Sequence, residues 1–101
     1  MSANKLSREV DLLAILQDSG KAAEYLNLAI ESGDRMRFLV AMRDIVIARG
    51  GISVVAERSS LSRSSLYKSL SKHGNPEFKS ITSLLDSLGL KLSVAPANRA
   101  S

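Results

Sequence analysis

The sequence contains no cysteine and no tryptophan, one histidine, two prolines and only 4% aromatic residues. Without cysteine neither a disulfide framework nor a thiolate zinc site can be built, and cysteine use says nothing about redox compartment. His73, the lone histidine, falls in a loop with no other ligand-type residue beside it, so neither a metal nor any other cofactor is expected. No basic stretch followed by a long apolar run opens the chain, and no apolar segment reaches the roughly 18 residues that a membrane span needs. No membrane association is therefore expected, and a soluble protein of the cytoplasm is the default. Catalysis is also without a foothold. Ser62, Ser64 and Ser65 lie close together, but no histidine base and no oxyanion motif accompany them. An enzyme is not expected.

What is present is a chain of 101 residues, 45% of them hydrophobic, enough for one domain with a core of its own. Its formal net charge is +4, unevenly spread. Residues 1–33 carry three Lys/Arg against five Asp/Glu, residues 34–50 four against two, and residues 51–91 six against three. An acidic first third followed by a basic remainder points to two surfaces with different partners, and the basic one suits a nucleic acid.

Apolar periodicity predicts helices almost throughout. Leu6, Val10, Leu13 and Leu16 mark one over 6–17, broken by Asp18-Ser-Gly. A second over 21–32 places Tyr25, Leu26, Ala29 and Ile30 on one face and stops at Gly33. Asp34 caps the longest, 35–49, whose stripe is Phe38, Leu39, Met42, Ile45 and Val46, and Gly50-Gly51 ends it. Two short helices follow over 53–59 and 62–71, the second closed by His73-Gly74. Asn75-Pro76 reads as N-cap and first helical residue of a last helix carrying Phe78, Ile81, Leu84, Leu85 and Leu88, capped by Gly89. Leu90-Lys-Leu-Ser-Val94 alternates strictly and predicts a single β-strand, and 96–101 a loose tail. A lone strand either pairs with another copy or a partner protein, or is an extension packed on the last helix. The organisation expected is an N-terminal helical extension over 1–33, a DNA-binding domain with the strand over 34–95, and a flexible tail over 96–101.

The segment from Ile52 to Ser71 carries the functional signal. A helix-turn-helix needs a small residue where its helices cross, and Ala56 is one; Leu61, five positions on, plugs the turn inward; Leu66 and Leu70 bury the second helix. Ser62, Arg63, Ser64, Tyr67, Lys68 and Ser71 are left on the outer face, with two cations and no carboxylate, as a helix entering the major groove requires. Arg63 suits bidentate contact to guanine, Lys68, Lys72 and Lys79 suit phosphates, and Tyr67 suits sugar or phosphate. Two positions depart from the usual pattern. Val54 stands where a phosphate-clamping glutamine is common, leaving Ser53 and nearby backbone N–H groups for that role. Ser60 stands where glycine permits a positive φ, at an expected cost on the order of 1 kcal/mol. The alternative is two amphipathic helices that simply pack in a bundle.

From Leu12 to Val94 the order of segments resembles the small bacterial antidote proteins of toxin–antitoxin (addiction) modules, which belong to the lambda-repressor-like helix-turn-helix group and are akin to HigA antitoxins. The resemblance is carried by Ala23-Glu-Tyr-Leu-Asn, Ile30-Glu-Ser-Gly-Asp34, Phe38-Leu with Ile45 to Gly50, Leu61-Ser-Arg-Ser-Ser-Leu-Tyr-Lys-Ser-Leu70, Gly74-Asn-Pro-Glu-Phe78 and Leu88-Gly-Leu-Lys-Leu92. It implies an all-α bundle of five or six helices with a short C-terminal strand. It further implies an antitoxin that neutralises a RelE-like or HigB-like ribonuclease toxin and represses its own operon, with DNA contacts at Ser62, Arg63, Ser64, Tyr67 and Lys68. A homodimer on operator DNA is expected, from the unpaired strand and from the matching of two half-sites. A stand-alone repressor, and a protein-interaction module that has lost DNA binding, are the alternatives. The operator, the toxin and its docking surface, the strand's partner and the signal relieving repression are not legible in the residues.

Overall fold

The computed structural model describes the backbone of residues 2–97 and the side chains of residues 8–97. Six helices follow in order: α1 (Ser2–Ile15), α2 (Ser19–Glu31), α3 (Arg35–Ala48), α4 (Ile52–Arg58), α5 (Arg63–Ser69) and α6 (Phe78–Ser87). Among the described residues there is no β-strand.

α3 is the hub. Leu39, Met42, Ile45 and Val46 recur at helical spacing and are all essentially inaccessible to solvent, and the helix packs on α1, α2 and α4. Leu16, Ala22 and Leu26 from the N-terminal segment join the same buried cluster as Val55, Leu66, Leu70, Leu84, Leu85 and Leu88. Each fully buried leucine contributes about 1.5–3 kcal/mol of transfer free energy, which offsets the ordering of these short helices.

The helix ends follow local chemistry. Asp34 caps α3 as expected, its carboxylate accepting from Met36 N–H at 2.8 Å. Asp18, expected in a break, instead caps α2: it accepts from Gly20 N–H at 2.8 Å and Lys21 N–H at 3.3 Å, so Ser19 and Gly20 form the first turn. Gly50 and Gly51 have φ of 114° and 97°, a turn that only glycine makes without strain. At the far end of α3, Arg49 donates to the Leu88 carbonyl at 2.9 Å and to Ser19 Oγ at 3.3 Å, tying the end of α6 to the start of α2.

Four expectations are corrected. The segment expected as a strand, 90–94, makes no ladder; Leu90 N–H turns back to the Leu85 carbonyl at 2.8 Å, and Val94 is fully exposed. A ladder needs a second backbone, and the described residues offer none. The last helix begins at Phe78 with Glu77 as N-cap, not at Asn75-Pro76. Pro76 instead lines an apolar hollow with Phe38, Leu61, Leu66, Ile81 and Leu84, ahead of the helix. Phe78, expected in the core stripe, is 72% exposed, and Pro76 is the residue that shares the hollow with Ile81. On α1 and α2 the buried face is narrower than the pattern predicts: Val10 and Ile30 are exposed, while Leu16, Ala22 and Leu26 carry the packing. Leu6 lies outside the side chains described, and of the tail expected over 96–101, residues 98–101 lie outside the described residues.

Candidate nucleic-acid interface

α4 and α5 are joined by a turn over 59–62 and pack on each other. The anchors take the places their chemistry calls for. Val55, Leu66 and Leu70 are buried, and Ala56 and Leu61 are half-buried against the same core. The turn itself is built differently from the expectation. No non-glycine residue among those described has a positive φ, so Ser60 is not strained. The neighbouring Ser59 does the work: extended at φ −102° and ψ 170°, it donates from Oγ to the Ala56 carbonyl at 3.4 Å and accepts from Leu61 N–H at 3.3 Å. A serine hydroxyl folding back on the backbone replaces the left-handed residue. Ser60 Oγ lies 2.9 Å from Ser83 Oγ and so reaches α6.

Ser62 caps α5, its Oγ accepting from Ser65 N–H at 3.1 Å. That bond uses a lone pair and leaves the hydroxyl proton free to donate outward. Ser62, Arg63, Ser64, Tyr67 and Lys68, five of the six outward residues of the sequence pattern, line one surface concavity with no carboxylate among them, while the sixth, Ser71, is half-buried and lines another hollow. Tyr67 stands 64% exposed at its edge. Three expected contacts lie elsewhere. Ser53 is exposed in the first turn of α4 and lines no part of this concavity, and Lys72 follows α5. Lys79 is exposed on α6. Val54 is directed toward Gly50, whose backbone leaves a methyl group only 3.2 Å from the valine side chain, so its role is packing.

One residue escaped the sequence reading. Arg43 of α3 lines a second hollow, shared with Ile47, Ile52, Tyr67, Ser71 and Lys72. The available signal was a cation adjoining the apolar stripe of α3, one turn from both Leu39 and Val46. On another face of α3, Tyr25 donates to Asp44 Oδ2 at 2.6 Å. Burial first, and then that carboxylate, push the Tyr25 hydroxyl up to about 12. Among the described residues no three His, Asp or Glu side chains converge as a metal site would require, and no helix is long and apolar enough to cross a membrane.

The family model for "Probable addiction module antidote protein" matches residues 6–96, nearly the whole chain. The chain belongs to this antidote family. An uncharacterized protein of Haemophilus influenzae is 31% identical to it over 87 residues, covering 86% of this chain and 89% of its own length. No solved structure matches. Membership supports an antitoxin role for this antidote-family chain, implies a cognate toxin as partner, and suggests a regulatory protein.

Proposed function

We propose that this chain is a DNA-binding antitoxin of a type II module, with a lambda-repressor-like, HigA-like helix-turn-helix formed by α4 and α5. It neutralises a RelE-like or HigB-like toxin and represses its own operon as a homodimer. The observation that carries the DNA reading is the concavity on α5, where Arg63 and Lys68 stand beside hydroxyl donors with no acid among them. Arg63 reads guanine from the first turn, Ser62, Ser64 and Tyr67 supply hydrogen bonds, and Lys68, Ser53 and Lys72 take phosphates. The test is binding to a labelled duplex from upstream of its own gene, with scrambled DNA and an Arg63→Ala variant alongside. Tight binding that prefers the native duplex, and a preference reduced on the order of tenfold or more in the variant, are expected from losing one bidentate pair worth about 1–3 kcal/mol. Equal binding to native and scrambled duplexes at every salt concentration would remove the repressor role and leave an antitoxin acting through toxin binding alone.

The toxin is assigned to the acidic N-terminal segment. Leu28 is 67% exposed, and Glu24 and Glu31 share its face at helical spacing. Leu28 lines a largely apolar hollow with Met36, Arg37 and Val40, and the acids beside it on α2 suit a basic partner, as a ribonuclease toxin would be. A complex that survives Leu28→Asp together with Glu24→Lys and Glu31→Lys would sink that assignment.

A further inference from the structure

Arg43 is a charged side chain without an evident structural use. Its Nε is buried and has no hydrogen-bond partner. The ion pair found among the described residues joins Arg37 to Asp34, and the acid next to Arg43 in sequence, Asp44, is engaged by the Tyr25 hydroxyl. The comparison with Arg49 is instructive. Its Nε is also unpartnered, but its terminal nitrogens hold the Leu88 carbonyl and Ser19. Arg49 therefore locks the fold, whereas Arg43 faces a hollow of about 330 Å³ that it shares with Tyr67, Ser71 and Lys72. No carboxylate lines that hollow. Ser71 is already spent, since its hydroxyl donates to the Lys68 carbonyl at 2.7 Å. The guanidinium, the Lys72 ammonium and the Tyr67 hydroxyl remain as donors. Two cations and a phenol on a concave space that is otherwise walled by Val46, Ile47, Ile52 and Leu70, and that no carboxylate lines, suit an anion.

Its position decides which anion. Tyr67 belongs both to this hollow and to the concavity lined by Arg63 and Lys68, so the two are contiguous. Ile52, at the start of α4, forms another wall. We propose that Arg43, Tyr67 and Lys72 form a clamp for one phosphodiester of the DNA backbone, immediately beside the bases read from α5. The proposal rests on the DNA-binding reading above. Its added content is that α3, outside the helix-turn-helix itself, supplies the half-buried member of the clamp. Such a contact sets the register of the protein on the duplex and carries no sequence information.

The test is the salt dependence of duplex binding by the full chain, wild type against Arg43→Gln, Arg43→Lys and Lys72→Gln. Each phosphate neutralised contributes about 0.9 to the slope of log affinity against log salt. Arg43→Gln and Lys72→Gln are each expected to flatten the slope by up to about that amount per bound copy. The ratio of native to scrambled affinity should stay unchanged, in contrast to Arg63→Ala. Arg43→Lys, which keeps the charge but loses the planar fork, should keep most of the slope. Circular dichroism and thermal melting establish that each variant is folded; Lys72 is exposed and decides the matter if Arg43→Gln does not fold. A wild-type slope in Arg43→Gln, or in Lys72→Gln where it is the folded one, overturns the clamp and leaves the DNA reading standing. Loss of sequence preference in Arg43→Gln overturns it as well, because the residue would then read bases. Absence of wild-type DNA binding removes both readings together.

Discussion

Ser60→Gly separates two ways of building the turn between α4 and α5. Were residue 60 left-handed, serine there would carry a strain of about 1 kcal/mol, and glycine would relieve it. That relief would cancel or exceed the extra unfolded-state entropy that glycine brings, about 0.4–1 kcal/mol, so stability would hold or rise. With no positive φ at Ser60 there is no strain to relieve, and the entropy penalty stands alone. The contact between Ser60 and Ser83 at 2.9 Å is lost besides; it is exposed, so about 0.5 kcal/mol is a fair measure. A loss of roughly 1–1.5 kcal/mol follows, or a melting temperature lower by about 4–10 °C for a domain of this size. Gly33→Ala calibrates the opposite case. Gly33 has φ +71° with nothing within 4 Å of an added methyl group, so that substitution reports the cost of a left-handed alanine free of steric clash, about 1 kcal/mol. Urea unfolding of both variants, with Ser60→Ala to isolate the hydroxyl, gives the comparison. A Ser60→Gly protein as stable as the wild type, or more stable, refutes the serine-built turn.

Gly74→Ala should destabilise although Gly74 has no positive φ. An added Cβ would overlap the Ser69 carbonyl oxygen and stand 2.7 Å from that of Lys68, both backbone atoms at the end of α5. The cost is about 1–3 kcal/mol, and an unchanged urea midpoint would contradict the close approach. Tyr25 should ionise at about 12 in the folded protein, against 10.0 for the free side chain. The folded state then holds this proton more tightly than the unfolded state, so the associated stability is intact below pH 10 and is lost as pH climbs towards 12. Tyrosinate absorbance in a Tyr67→Phe background reads that ionisation directly, and a midpoint near that of free tyrosine would count against the buried contact with Asp44.

The helices were legible because each is marked twice, by apolar spacing and by a terminal residue. Asp34 with Leu39, Met42 and Val46 is the clearest case, and the buried set of α3 is the expected stripe with Ala41 and Ala48 added and Phe38 half-buried. What failed had one mark only. The alternation of Leu90, Leu92 and Val94 describes side chains, whereas a strand is made by a partner's backbone, which no single sequence displays. Asn75-Pro76 has the chemistry of a helix start, but the proline lines an apolar hollow instead, and that hollow exists only after folding. The outward face of α5 was read correctly from the burial of Leu66 and Leu70, since fixing two inward positions fixes the others. Arg43 was missed for the complementary reason. Its meaning lies in meeting Tyr67 and Lys72 from distant parts of the chain, and no local period records that meeting.

The small number of cations bears on how such a chain would act on DNA. With Arg63 given to a base, the phosphates near α5 are two, one held by Lys68 and one clamped by Arg43 and Lys72 together. Two neutralised phosphates give a salt slope of about −1.8, an interaction that weakens only moderately with salt but starts from little affinity. Two copies double the slope to about −3.6 and join two base-reading helices about 34 Å apart on one face of the duplex, which is where specificity is gained. The surface available for such pairing is the chain after α6, where Leu92 and Val94 are exposed and the backbone of 91–97 has no ladder partner among the described residues. Deleting residues 90–101 leaves α3, α4 and α5 and the phosphate-facing cations in place. If the extension joins the copies, the truncated chain should bind DNA with half the salt slope and tolerate changes in half-site spacing; an unchanged slope would place the contact between copies elsewhere on the helices.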